Sequence, residues 1–331
     1  MKRILLIQTA SIGDVILSTA LAESLHAVYP ETQIDFMVKK GNETLFDHHP
    51  FLNELIVWDK RTKKYSNLIR IICRIRKNNY SLVINIQRFF SSGLITALSG
   101  AGETRGFTKN PLSWLFTRRF PHDIGNGVHE VERNHILIGD MAGVKQGLPR
   151  LYPDQTDAED IRQIIRQKYY TISPASLWFT KQYPVKKWVE LINIISADAK
   201  VLLLGAKGDH GLCEDIIQKA GHPGVSNLAG KLSFLQSALI MKMAFMNFTN
   251  DSAPMHLASA VDAPVTAIYC STIPGFGFGP LSTDSVTIET DVQLGCRPCG
   301  LHGYKQCPEK HFRCGYEIDT NKLTGRLSKN H

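Results

Sequence analysis

The sequence predicts an α/β protein made of two parallel-sheet units in succession. Three observations carry this expectation. Short apolar runs alternate with helix-length stretches, the pattern of strands joined by crossover helices. The alternation breaks at Gly147-Leu148-Pro149 and Tyr152-Pro153-Asp154, which supply a turn-rich linker, and then restarts. The 331 residues suffice for two domains of ordinary size, each with a full core. The expected domains are 1–153 and 154–331.

Residues 3–8 (Arg-Ile-Leu-Leu-Ile-Gln) read as a buried first strand. Residues 8–13 form a turn of small and polar groups. From Asp14 onward Leu17, Leu21, Leu25 and Val28 fall at helical spacing until Pro30 stops the run. Asp14 therefore stands at the mouth of a strand-turn-helix unit, where open α/β sheets bind ligands. The helix N-terminus favours its ionised form. It reads either as a helix cap or as a base. Further strands are expected at 33–38, 54–58 and 81–86, with helices at 11–29, 65–79 and 133–143.

After the linker, strands are expected at 170–173, 201–205, 245–249 and 265–270. Helices are expected at 188–195, 212–220, 235–243 and 255–261. The end beyond Tyr316 is polar and reads as a helix or a frayed tail.

Three segments of the second half carry chemistry. In Asn250-Asp251-Ser252-Ala253-Pro254-Met255-His256 a strand ends and a helix opens, with Pro254 near its first turn. Backbone N–H groups of Ser252 and Ala253 there can hold a diphosphate, or the segment is an ordinary capped helix with a buried histidine. In the loop of residues 173–184, Ser176 and Thr180 can bond phosphate oxygens and Lys181 can neutralise them. Gly205-Ala206-Lys207-Gly208-Asp209 follows another strand but matches neither GxGxxG nor the Walker pattern. Asp209 there can meet a ribose hydroxyl or simply close a turn. No Asp-x-Asp occurs, so a metal-bridged diphosphate site of that kind is not supported.

A composition of 43% hydrophobic and 21% charged residues is that of a globular protein in water. No segment approaches the roughly 20 apolar residues of a bilayer span. The short apolar start, with Asp14 close behind, reads as a strand of a cytoplasmic protein rather than a signal peptide. The net charge of +8 is uneven: residues 1–150 carry 20 Lys and Arg against 13 Asp and Glu. Lys39, Lys40, Lys60, Arg61, Lys63, Lys64, Arg70, Arg74, Arg76, Lys77, Arg118 and Arg119 make up a basic surface. It suits phosphorylated lipid or an anionic membrane, or is a solvated helix face. No nucleic-acid-reading motif accompanies it, so no nucleic-acid partner is expected. Cys296, Cys299, Cys307 and Cys314 are spaced so as to permit a four-thiolate zinc site, with reduced thiols as the default.

Taken together, these segments resemble glycosyltransferase family 9, the heptosyltransferases of lipopolysaccharide core synthesis. The resemblance spans nearly the whole chain. It rests on Gly13-Asp14-Val15, Ser176…Thr180-Lys181, Asn250-Asp251-Ser252…His256, Phe276-Gly277-Phe278-Gly279-Pro280 and the four-cysteine tail. Two departures stand out: Ala253 where glycine is common, and Tyr183 where tryptophan is frequent before the proline.

The resemblance implies a GT-B fold, two Rossmann-like domains facing across a cleft, with acceptor bound by the first and nucleotide sugar by the second. It implies inverting, metal-independent transfer from ADP-L-glycero-D-manno-heptose to a phosphorylated lipid A-core acceptor at the inner membrane. It requires no cofactor. Asp14 aligns with the general base and Lys181 with the lysine on the donor diphosphate, with Ser176 beside it. Asp251, Ser252, Ala253 and His256 align with the donor-binding segment, and Leu232 with an apolar residue packed on adenine. Asp209 is the ribose candidate, with Glu214 competing. A relative using another nucleotide sugar or acceptor, or a non-catalytic sugar-nucleotide or glycolipid binder, would share these features.

Overall fold

The computed structural model describes residues 2–62, 64–162, 164 and 167–327; of Lys64 and Asp160 it describes the backbone. Lys63 of the basic set thus lies outside the described residues, as does the side chain of Lys64. The chain divides into two compact units, Met1–Ile124 with Val128–Tyr152, and Gly125–Gly127 with Pro153–His331.

The first unit runs β1 (Arg3–Ile7), α1 (Ile12–Val28), β2 (Gln33–Lys39), β3 (Leu52–Trp58), α2 (Lys64–Lys77) and β4 (Leu82–Asn85). It continues through α3 (Phe90–Ala97), β5 (Glu103–Phe107), β6 (Arg118–Phe120) and α4 (Glu130–His135). All neighbouring strands pair in parallel, in the order β3-β2-β1-β4-β5-β6. Residues 4–7 of β1 are wholly buried, as a central parallel strand covered on both faces requires. Asp35 is buried in β2, where a lone carboxylate would be costly. Arg3 Nε (2.7 Å), Asn53 Nδ2 (2.8 Å) and the Tyr80 hydroxyl (2.5 Å) all donate to it.

The structure adds strands that apolar patterning does not reveal. β5 reads Glu-Thr-Arg-Gly-Phe, yet Arg105 is buried. Its guanidinium meets Glu103 (2.8 Å), Asp140 (2.5 Å) and the Leu137 carbonyl (3.0 Å). Gly106 is needed in that strand because a methyl there would strike the Phe116 ring at 2.5 Å. The helix expected at 133–143 is instead α4, followed by turns through Gly139 and the left-handed Gly143. Glycines weaken a helix by about 1 kcal/mol each relative to alanine.

The second unit runs α5 (Gln155–Ile161), β7 (Tyr169–Ser173), α6 (Val185–Ile194), β8 (Lys200–Leu203), α7 (His210–Lys219) and β9 (Val225–Asn227). Then come α8 (Phe234–Met243), β10 (Met246–Asn250), α9 (Ala253–Ala260), β11 (Val265–Tyr269), β12 (Ser285–Glu289), α10 (Arg313–Tyr316) and α11 (Asn321–Thr324). The sheet is parallel, in the order β12-β11-β10-β7-β8-β9. Its core joins Ile172, Trp188, Leu203 and Phe248 to Phe312, Ile318 and Leu323, so the chain end is packed through α11.

Counted from its own first strand, each sheet has the order 3-2-1-4-5-6. In each, the connections leave strands one and four toward opposite sides. This opens a crevice at their carboxyl ends, the usual ligand position of a doubly wound sheet. The crevices lie by the ends of β1 and β4 and of β7 and β10. Both units are thus Rossmann-like, and the fold is of the GT-B class.

Candidate active site

At the β7/β10 crevice the sequence places two loops, residues 174–184 after β7 and Asp251-Ser252 after β10. Asn250, the last residue of β10, is fully buried and ties the first loop at both ends. Its Nδ2 donates to the Pro174 carbonyl (2.8 Å), and its Oδ1 accepts from the Tyr183 N–H (2.9 Å). The loop so fixed carries Lys181, whose Nζ lies 2.6 Å from Asp251 Oδ2. The Thr272 hydroxyl, following β11, donates to the same oxygen at 2.6 Å. The pair is nearly covered, with side-chain exposures of 14% for Lys181 and 8% for Asp251. Ser252 is the extended N-cap of α9, Ala253 its first residue, and His256 lies buried in its first turn.

A nearly covered ammonium facing a single carboxylate, beside a helix N-terminus, offers the charge and the N–H donors that an anion such as a diphosphate would require. Ser176 is half-buried in the same loop, where its carbonyl accepts from Gln182 Nε2 at 2.8 Å.

Thr180 needs a correction. Expected among the phosphate ligands, it is 1% exposed. Its Oγ1 accepts from the Tyr304 N–H (2.7 Å) and from Ser271 Oγ (3.0 Å), and donates to the Tyr304 carbonyl (3.3 Å). One donor and two lone pairs are all that a hydroxyl has, so nothing remains for a phosphate.

Asp209, in the turn after β8, accepts the Ala206 N–H at 2.7 Å. Its rival Glu214, on α7, accepts from Asn227 Nδ2 at 2.6 Å. Leu232 is half-buried just before Ser233, which caps α8.

In the first unit, Asp14 sits half-buried in the first turn of α1. Its Oδ2 accepts from the Ser11 hydroxyl (2.6 Å) and N–H (3.2 Å), so the capping role is realised. The turn that leads into it is held from two sides. Asn42 Nδ2 donates to the Ala10 carbonyl (3.3 Å), and Lys60 Nζ to the Thr9 carbonyl (3.0 Å) and hydroxyl (2.9 Å). This brings the Lys60 cation to the same carboxyl edge of the sheet as Asp14.

Residues 68–311 match the family model described as glycosyltransferase family 9 (heptosyltransferase). The chain belongs to glycosyltransferase family 9. It is 28% identical over 318 residues to lipopolysaccharide heptosyltransferase 1 of Pseudomonas aeruginosa, covering 90% of this chain and 86% of that one. It is 25% identical over 280 residues to lipopolysaccharide heptosyltransferase 3 of Escherichia coli K12, covering 78% of this chain and 80% of that one. Its fold is similar to that of E. coli ADP-heptose lipopolysaccharide heptosyltransferase II, with a TM-score of 0.79 at 22% identity, covering 99% and 98% of the two chains. The family assignment makes the protein a glycosyltransferase of heptosyltransferase type.

Within this family 9 chain, sequence reasoning missed the support of the lysine. Asn250 stood in a recognised motif, and its adjacency to Asp251 was the available signal. Thr272 and Tyr304 gave no local signal. The four cysteines of the tail do share one place: Cys296, Cys299, Cys307 and Cys314 line a cavity of about 240 Å³ together with Thr180 and Tyr304. Among the described residues no three His, Cys, Asp or Glu side chains are grouped so as to hold a metal ion. Burial pushes the Cys314 thiol up to about 12. No helix among the described residues is long and apolar enough to cross a membrane.

Proposed function

We propose that this family 9 chain moves L-glycero-D-manno-heptose from ADP-heptose to a lipopolysaccharide inner-core acceptor, with inversion and without a metal ion. The observation that carries the reading is the Lys181–Asp251 pair at the β7/β10 crevice, beside the α9 N-terminus. In this reading the second unit binds the donor. Lys181 and the backbone at Ser252 and Ala253 stabilise the negative charge that gathers on the departing ADP. Ser176, Asp251 and His256 surround the diphosphate and sugar, Leu232 packs on adenine, and Asp209 meets the ribose.

The first unit binds the acceptor. An acceptor hydroxyl is a weak nucleophile, and Asp14 takes its proton as it attacks. One base and in-line attack invert the anomeric centre, whereas retention through a covalent intermediate would ask for a second carboxylate close by. The absence of Asp-x-Asp, with Lys181 as the cation, supports metal independence. Lys60 and the exposed Arg70, Arg74, Arg76 and Lys77 of α2, a helix without acidic residues, suit a phosphorylated acceptor in an anionic inner membrane surface. Exposed Tyr65 and Ile69 on that helix favour peripheral attachment from the cytoplasm.

The test is transfer by purified protein from ADP-heptose to truncated core acceptors, read by mass, with UDP- and GDP-sugars as competing donors. Asp14→Asn should slow the mass gain by about a hundredfold or more while ADP binding persists. Undiminished transfer by that variant rejects the role of Asp14, and transfer from UDP- or GDP-sugars alone rejects the donor.

A further inference from the structure

The cysteine-bearing segment near the chain end reaches the Lys181 loop through its backbone. The Tyr304 N–H donates to Thr180 Oγ1 (2.7 Å), and the Thr180 N–H returns to the Tyr304 carbonyl (3.1 Å). Gly303 sits directly on this contact, with φ at +75°. A methyl group there would lie 2.7 Å from Thr180 Oγ1, 3.0 Å from Ser271 Oγ and 3.2 Å from Lys181 Cγ.

Six residues earlier, Arg297 holds the other side of the ion pair. Its Nε donates to the Cys270 carbonyl (2.7 Å) and its Nη2 to the Thr272 carbonyl (2.7 Å), while Glu289 neutralises it. The Cys299 N–H donates to the Ser271 carbonyl at 2.8 Å. One stretch of chain therefore grips Thr180, next to Lys181, and also residues 270–272, whose Thr272 hydroxyl holds Asp251.

We propose that residues 297–304 form a positioning strap that sets Lys181 against Asp251 and so presets the cation for the donor diphosphate, with Thr180, Gly303 and Arg297 as positioning residues. The inference rests on the reading of Lys181 as the diphosphate's cation. Its physical basis is the rotamer freedom of a lysine side chain, which a fixed loop and a fixed counter-ion remove before the donor arrives. Misplacement of a reacting or binding group by about 1 Å can cost about a hundredfold in rate.

Thr180→Val, Thr180→Ser and Gly303→Ala are compared with the parent, and Thr180→Val is also made in a Lys181→Ala background. ADP affinity is read by calorimetry, kcat and KM with ADP-heptose by mass, and folding by circular dichroism. Thr180→Val and Gly303→Ala should weaken ADP binding about tenfold, the equivalent of one lost hydrogen bond, and lower kcat/KM about a hundredfold. Thr180→Ser, which keeps the hydroxyl, should stay within about threefold of the parent. In the Lys181→Ala background, Thr180→Val should add less than about twofold, because the strap acts through the missing ammonium.

If Lys181→Ala alone leaves ADP affinity and transfer unchanged, the reading of Lys181 fails and the strap falls with it. If Lys181→Ala is impaired but Thr180→Val matches the parent, or its loss multiplies in full with that of Lys181→Ala, the strap is overturned and Lys181 keeps its role. Should Gly303→Ala not fold, the Thr180→Val and Thr180→Ser pair decides.

Discussion

Replacing Lys181 by methionine should destabilise the second unit far more than removing Lys181 and Asp251 together. The two charges lie 2.6 Å apart. At an effective dielectric constant near 20 their attraction is about 6 kcal/mol. Desolvation of two nearly covered ions costs several kcal/mol each and offsets most of that gain. The pair is thus close to neutral as a whole, but either ion alone is costly. In Lys181→Met, Asp251 keeps the Thr272 hydroxyl as a donor and loses its counter-charge, a cost of about 3 kcal/mol. Asp251→Asn should cost about as much by stranding the ammonium. The double variant should lose only about 1 kcal/mol, giving a coupling of several kcal/mol. Hydrogen exchange on peptides from β7 and β10 reads this in the second unit alone. Single variants that each lose less than about 1 kcal/mol, or a double variant that loses their full sum, would refute the reasoning.

Other outcomes follow from the same geometry. Asp14→Asn should lower turnover by about two to four orders of magnitude while ADP affinity stays within about twofold, by kinetics and calorimetry. His49, packed among Phe46, Phe51 and Tyr152, has a pKa lowered from 6.5 to about 4 by burial and by His26. The unfolded ring takes its proton more readily, so stability is full above about pH 6.5 and falls by about 3 kcal/mol as pH drops through 4. Urea titrations of His49→Phe should lack that loss. Arg105→Leu should cost the first unit about 2 kcal/mol, since the Leu137 carbonyl and Glu103 lose their donor. Ellman's reagent should modify exposed Cys73 first and reach buried Cys213, Cys270 and Cys314 only on unfolding, because burial raises all three thiols.

Much of the fold was legible because its signals are local. β1, α1, β7 and β10 announce themselves by apolar runs and helical spacing within a dozen residues. The turns that end them carry Asp14, Lys181 and Asp251, so the candidate site residues could be named from the loops that follow strands. β5 was not legible. Its buried Arg105 is satisfied by Asp140 and the Leu137 carbonyl, which no window around Glu-Thr-Arg-Gly-Phe contains. Nor was the helix at 133–143 truncated by any residue stronger than glycine.

Sequence alone determined that two parallel-sheet α/β units follow one another, and that a carboxylate opens the first and a lysine loop the second, since backbone periodicity and turn chemistry depend on near neighbours. Tertiary structure decided what those groups face. Thr180 looked like a ligand for phosphate because hydroxyls in loops after strands so often are. It became an internal clamp because Tyr304, 124 residues further along, donates its N–H to it. A hydrogen-bonding group is committed by whichever partner reaches it when water is excluded, and only the folded chain brings that partner there.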